Sequence, residues 1–172
     1  MRMLTVVDYD EAWPSLFERE CSLLKMTLGK AIAHIHHIGS TSVPGLAAKP
    51  VIDILIEVTN LYELDSLNQA MQHTGYTVRG ENGISNRRYF TKGGNQRSHH
   101  IHAFAIGDVQ IIKHLAFRDY LIKNNAAAMQ YASMKNNAML LCENDTHRYS
   151  ALKADFIQKH LGVALIDVGY FE

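Results

Sequence analysis

Between Pro50 and Thr59 the chain reads Val51-Ile52-Asp53-Ile54-Leu55-Ile56-Glu57-Val58, and the layers around this run must answer to it. It is the clearest β-strand of the sequence, short, rich in branched apolar side chains and preceded by Gly/Pro punctuation. Strand side chains alternate, so Ile52, Ile54, Ile56 and Val58 share a face directed into a core. Val51, Asp53, Leu55 and Glu57 share the opposite, open face. A half-buried strand with two carboxylates on its open face is a seat for Mg²⁺, which prefers oxygen ligands. Asp53 and Glu57 lie roughly 13 Å apart by strand rise, so they share one ion only through other ligands or a bulge. Glu57 also reads as a solvated carboxylate near the strand end, whereas Asp53 interrupts an apolar run.

The flanking sequence supplies the layers. Trp13, Phe17, Cys21, Leu24 and Leu28 recur at helical spacing, with Pro14 in the first turn and Gly29 as a stop. Residues 32–38 suit a strand. Leu61, Leu64, Leu67 and Met71 predict one helix ending near Gly75, and 76–79, 88–92 and 99–105 read as three more strands. From Asp108 the pattern turns helical over about 109–123, 125–141 and 146–161, and Gly162 is read as the close of the last helix. The fold class is therefore α+β: a sheet part over 1–107, a helical part over 108–162 and an apolar tail over 163–172, all in one domain of 172 residues. The tail, with Val163, Ile166 and Phe171, either packs back onto the sheet or pairs two copies of the chain as a homodimer.

Charge and cysteine content narrow the partners. Seventeen Lys+Arg balance seventeen Asp+Glu, which argues against a broad basic face for duplex nucleic acid but permits a local phosphate pocket. No stretch approaches the roughly 18 apolar residues of a membrane span. Cys21 and Cys142 are far apart, amid apolar neighbours, and form no framework, so a cytoplasmic protein is expected.

Just before the strand, Gly39-Ser40-Thr41-Ser42 offers unhindered backbone N–H groups and hydroxyls, which can wrap phosphate oxygens as an anion nest. The same run can instead be a turn that satisfies its own backbone. Lys49, Arg87, Arg88, Lys92 and Arg97 flank these elements and could meet phosphate charge; each alone also reads as a solvated surface cation. His100 and His102 share one face of their strand. With Asp53 they make a three-ligand set for a metal, or one acts as general base, or both simply line a wet groove. His73, His114, His147 and His160 lie on or beside helices and read as surface residues.

The segment from His37 to Val58 resembles the signature of the GrpB family, whose members resemble nucleotidyltransferases of the DNA polymerase beta type. Val7-Asp8-Tyr9-Asp10 with Trp13 is similar to the family's opening, and Arg97-Ser98-His99-His100-Ile101-His102 to its second motif. Phe117-Arg118-Asp119-Tyr120-Leu121, Tyr131 with Lys135, and Tyr149 with Lys153 are similar to its helical tail, so the likeness runs over about residues 5–160. It implies a nucleotidyltransferase-like mixed β-sheet flanked by helices. It also implies that Gly39 and Ser40 hold the phosphates of a nucleoside triphosphate or another phosphorylated small molecule and that Arg118 and Lys153 face the same groove; Thr41, Ser42, Lys49, Arg88 and Arg97 join them as phosphate-binding candidates from the reading of the residues themselves. Asp53, Glu57, His100 and His102 would hold Mg²⁺ or Mn²⁺, with Asp53, His102 and Glu57 in the catalytic roles. The superfamily spaces two acids Asp-x-Asp, and the second position here is Leu55, which leaves the two-metal clamp incomplete.

The expected activity is metal-dependent transfer of a nucleotidyl group to an unknown acceptor. One alternative is a non-catalytic nucleotide-binding or coenzyme A-binding module, since domains of this family also occur joined to dephospho-coenzyme A kinase. A second is a metal-dependent hydrolase built on Asp53, His100 and His102.

Overall fold

The computed structural model describes residues 4–171. Helix α1 spans Trp13–Leu28, with a proline in its first turn and Gly29 at its end in a positive-φ conformation. Strand β1, Ile32–Ile38, leads through the Gly39–Pro50 loop to β2, Ile52–Val58. Next come α2, Leu61–Asp65, and α3, Asn68–His73. They are followed by β3, Tyr76–Val78; β4, Arg88–Lys92; and β5, His99–Ala105. Three helices complete the chain: α4, Val109–Lys123; α5, Asn125–Leu141; and α6, Thr146–Asp167.

The five strands form one mixed sheet in the order β1-β2-β5-β4-β3. Only β2 and β5 run parallel, and the crossover between them carries α2, α3, β3 and β4. Their register places Asp53 opposite His100 and Leu55 opposite His102. On the back of the sheet, Trp13, Phe17, Leu24 and Leu28 of α1 pack with Ile52, Ile54, Ile56, Phe90 and Ile101, together with Leu64 and Met71 from α2 and α3. At roughly 1.5–3 kcal/mol per buried large side chain, this layer is the main hydrophobic contribution to stability.

Four expectations are corrected. The helix read over 61–75 is two helices, because Ser66 turns its hydroxyl back onto the Glu63 carbonyl (2.6 Å) and the backbone leaves helical geometry at Leu67. The last helix does not stop at Gly162 but runs to Asp167; the stop is Gly169, at φ 75°, whose N–H bonds the Ile166 carbonyl. The tail does not fold onto the sheet: Ala164 is buried, while Ile166, Val168 and Phe171 are exposed. The β2 face expected to be open is covered at Leu55, which is wholly buried with Ile38, Phe104 and Ile111 of α4. The helical part thus lies on the front face as a second layer, and a mixed sheet between two helical layers is the architecture. Among the described residues no helix is long and apolar enough to cross a membrane. Cys21 and Cys142 are free and buried.

Candidate functional site

Where α4, α5 and α6 stand away from the edge of the β1–β2–β5 face, the front layer leaves two cavities that meet at Ser40, Asp53 and Lys153. The larger, about 460 Å³, runs under α4 and α6 past His102, His114, Phe117 and Arg118. The smaller, about 190 Å³, is lined by Lys49, His100, Lys135 and Tyr149, among others.

Asp53 lies at the junction. Register with Ile38 brings the turn after β1 directly over its carboxylate. Gly39 has φ 72°, and a Cβ there would stand 2.6 Å from Asp53 Oδ2, so the loop can lie this close only as glycine. The other oxygen, Oδ1, is 3.3 Å from His100 Nδ1 and 3.4 Å from His102 Nε2. Burial would raise the Asp53 carboxyl, but the hydrogen bonds and charges of His100 and His102 hold it far below the usual carboxylate range. His102 is steadied in turn by Arg87, whose Nη1 lies 3.5 Å from Nδ1 while its other nitrogens donate to the Glu81 and Asn82 carbonyls.

The loop divides its hydroxyls between itself and the cavities. Ser42 donates to the Gly39 carbonyl, and Thr41, fully buried, pairs with His37 Nε2 at 2.9 Å. Ser40 is the hydroxyl left facing both cavities, where it is hydrogen-bonded to Tyr131. His37 stacks on Phe17, and burial together with nearby Arg118 pushes it down to about 4 despite the opposing charge of Asp53. Arg118 donates through Nη1 to the His37 carbonyl and through Nε to Asp119, and still lines the larger cavity. Lys153 lies 4.2 Å over the Tyr149 ring. Lys135 donates to the Ala47 carbonyl, tying α5 to the loop.

The structure therefore gathers Gly39, Ser40, Thr41, Lys49, Asp53, His100, His102, Arg118 and Lys153 around the cavities, and separates four expected members from them: Ser42, which lines neither cavity and spends its hydroxyl on the Gly39 carbonyl, and Glu57, Arg88 and Arg97. Glu57 sits farther along β2, its Oε1 2.7 Å from His36 Nε2, and lines neither cavity. Arg88 points to the back of the sheet, on the face of its strand neighbour Phe90, and grips both carboxylate oxygens of Asp65 at 2.6 and 3.0 Å. Arg97 also lines neither cavity, and its Nε and Nη1 are buried with no hydrogen-bond partner among the described residues.

Sequence reasoning missed His114. It is no surface residue but a wall of the larger cavity, its ring 5.3 Å from that of His102. Burial and the neighbouring His102 push it down to about 4. The signal was available, since Gln110, His114, Phe117, Arg118 and Leu121 share one helical face and Arg118 was already placed at the site.

An ionised carboxylate at the junction of two polar-lined cavities suits a single hard cation completed by ligand oxygens and water. The donor set does not suit a pair of such ions, because the position that would carry a second acid is Leu55, beneath α4. Among the described residues, no group of three or more His, Cys, Asp or Glu side chains is arranged to hold a metal ion.

Comparison with known proteins agrees with this architecture. The crystal structure of the conserved protein GrpB from Enterococcus faecalis superposes with a TM-score of 0.92 at 39% identity, over 95% of this chain and 99% of that one. Terminal uridylyl transferase 4 from Trypanosoma brucei with bound CTP shares the fold at 13% identity and a TM-score of 0.51, over 94% of this chain and 52% of that one. The UPF0157 protein YqkA of Bacillus subtilis (strain 168) is 42% identical over 157 residues, which are 91% of this chain; the chain spans about half of that relative's length, 46%. The sequence model described as "GrpB protein" matches residues 3–162, a stretch that holds α1 to α5, most of α6, the loop at Gly39 and every residue at the junction of the cavities, and on that match the chain belongs to the GrpB family.

Proposed function

We propose that the protein binds a nucleoside triphosphate across the two cavities and transfers its nucleotidyl group to an acceptor, the α–β phosphoanhydride bond breaking to release pyrophosphate, with Mg²⁺ or Mn²⁺ held at Asp53. The observation that carries this reading is the junction itself. An ionised Asp53 under the Gly39–Ser40 turn, with Lys153 shared by both cavities, brings a cation seat, a hydroxyl and an ammonium to one place. The smaller cavity, with Lys49, Lys135 and Lys153, suits the phosphate chain; the larger, with Phe117 and Tyr131, suits the nucleoside. A bound cation would neutralise phosphate charge from Asp53. Ser40 and Lys153 would orient the phosphates, and the two imidazoles keep Asp53 ionised and aimed. The burial of Leu55 favours a second reading, in which the site binds its nucleotide without turnover.

Calorimetric titration with ATP, CTP, GTP, UTP and coenzyme A, with and without Mg²⁺ or Mn²⁺, separates the two. Cation-dependent triphosphate binding that Asp53→Asn abolishes is the result expected of the transferase. Equal binding by both proteins without cation supports the binding module. Absence of binding by either removes the nucleotide reading altogether.

A further inference from the structure

The smaller cavity carries more positive charge than its own carboxylate can offset. Lys49, Lys135 and Lys153 line it, against a single lining carboxylate, Asp53. Oδ1 of that carboxylate is already engaged by His100 and His102. Lys135 is the most enclosed of the cations, 2% exposed on α5. Its amine donates to the Ala47 carbonyl and lies 4.6 Å over the Tyr131 ring. The groups facing it are Lys49 from the loop, Asp53 from β2, His100 from β5, and Tyr149 and Lys153 from α6. A buried ammonium among like charges, with no carboxylate of its own, is destabilised relative to the neutral amine.

We propose that the smaller cavity is a polyphosphate site that takes up a proton with its ligand, the proton going to the Lys135 amine. This rests on the nucleotide reading of the same site. In the empty cavity the neutral amine keeps one N–H on the Ala47 carbonyl and spares the cavity a third buried charge. A polyphosphate of several negative charges reverses the balance: the amine takes a proton from the buffer and becomes an ammonium that pairs with the ligand. Burial, reinforced by Lys153, pushes Lys135 down to about 7, so the amine is largely neutral just above physiological pH. The low value means that the ligand meets part of its counter-charge only by recruiting it, which makes affinity depend on pH in a range where the ligand does not titrate.

The test is isothermal titration of ATP, CTP, GTP and UTP in turn, with Mg²⁺, at pH 8.5 in two buffers of different ionisation enthalpy. A phosphomonoester has lost its last proton by then, its second pKa being about 6. The expected uptake is about one proton per ligand, with affinity falling roughly tenfold between pH 7.5 and 8.5. Lys135→Met should bind more weakly, with no uptake and a flat pH profile; Lys135→Gln repeats the measurement with a polar side chain should the first variant fold poorly. Wild-type binding without proton uptake overturns the proposal and leaves the nucleotide reading intact. Uptake that persists in both variants also overturns it, by assigning the proton elsewhere. Binding of no triphosphate overturns both.

Discussion

Gly39 and Asp53 make one unit, and a single methyl group tests it. Alanine at 39 must hold φ near 72°, at a cost of about 1–2 kcal/mol, and must displace the Asp53 carboxylate from its 2.6 Å approach. Gly39→Ala should stay folded with a lower Tm and lose at least about tenfold in nucleotide affinity; unchanged affinity would detach the loop from the site. Two histidines set the acid limit at the same scale. His37 and His114 are both pushed down to about 4 by burial, from an ordinary value near 6.5. A histidine whose folded pKa is depressed contributes stability that is complete above the unfolded pKa. That contribution is lost as pH falls from 6.5 towards 4, about 2 kcal/mol each after allowance for partial exposure. Urea unfolding at pH 7 and pH 4.5 should show this loss, and His114→Phe, which keeps a ring against Phe104, should lose about half as much.

The elements differ in how locally they are determined. Gly162 lies inside α6 with ordinary helical φ and open space where a Cβ would go. Gly162→Ala should therefore stabilise the protein by about 0.5–1 kcal/mol in urea unfolding, the opposite sign to Gly39→Ala; a loss would mean that α6 needs the glycine. Intrinsic propensity marks that glycine as a stop, but the packing of α6 on α4 and α5 carries the helix on to Asp167, just before Gly169. Helix α1 was legible because its signals are local: a first-turn proline, apolar residues three and four apart, and a terminal glycine. The face of Asp53 was legible from alternation, and its pairing with His100 from the family resemblance. The position of Glu57 was not, since alternation gives a side chain its face and not its distance from the ligand. Arg88 could have been placed by the same alternation, because Phe90 marks the side of β4 that enters the core. His114 is legible only through the helix face it shares with Arg118, since a single histidine on a helix carries no signal of its own.

At the scale of the whole molecule, Leu55 is where the sheet and the helical layer are pressed together. Restoring the second acid of the Asp-x-Asp pair there looks, from sequence, like a way to awaken turnover. The structure predicts otherwise: Leu55→Asp places a carboxylate among Ile38, Phe104 and Ile111 beneath α4, where burial outweighs the histidines paired with it across the sheet, and should destabilise by about 2–4 kcal/mol. A variant as stable as wild type in urea, with gained Mn²⁺ binding, would show that α4 can lift from the sheet. The two layers also meet through the loop after β1, whose Val43 and Leu46 pack with Leu121, Ala127 and Tyr131. Lys135 reaches the Ala47 carbonyl from 88 residues away in sequence. That tether bears on biosynthesis. A growing chain has made Asp53, its two imidazoles and the glycine turn well before α5 and α6 exist, yet the walls of both cavities need residues as late as Lys153. A nascent polypeptide stalled on the ribosome short of α6 would hold the acid but not the pocket, so on the proposed function competence to capture a nucleotide arrives late during translation.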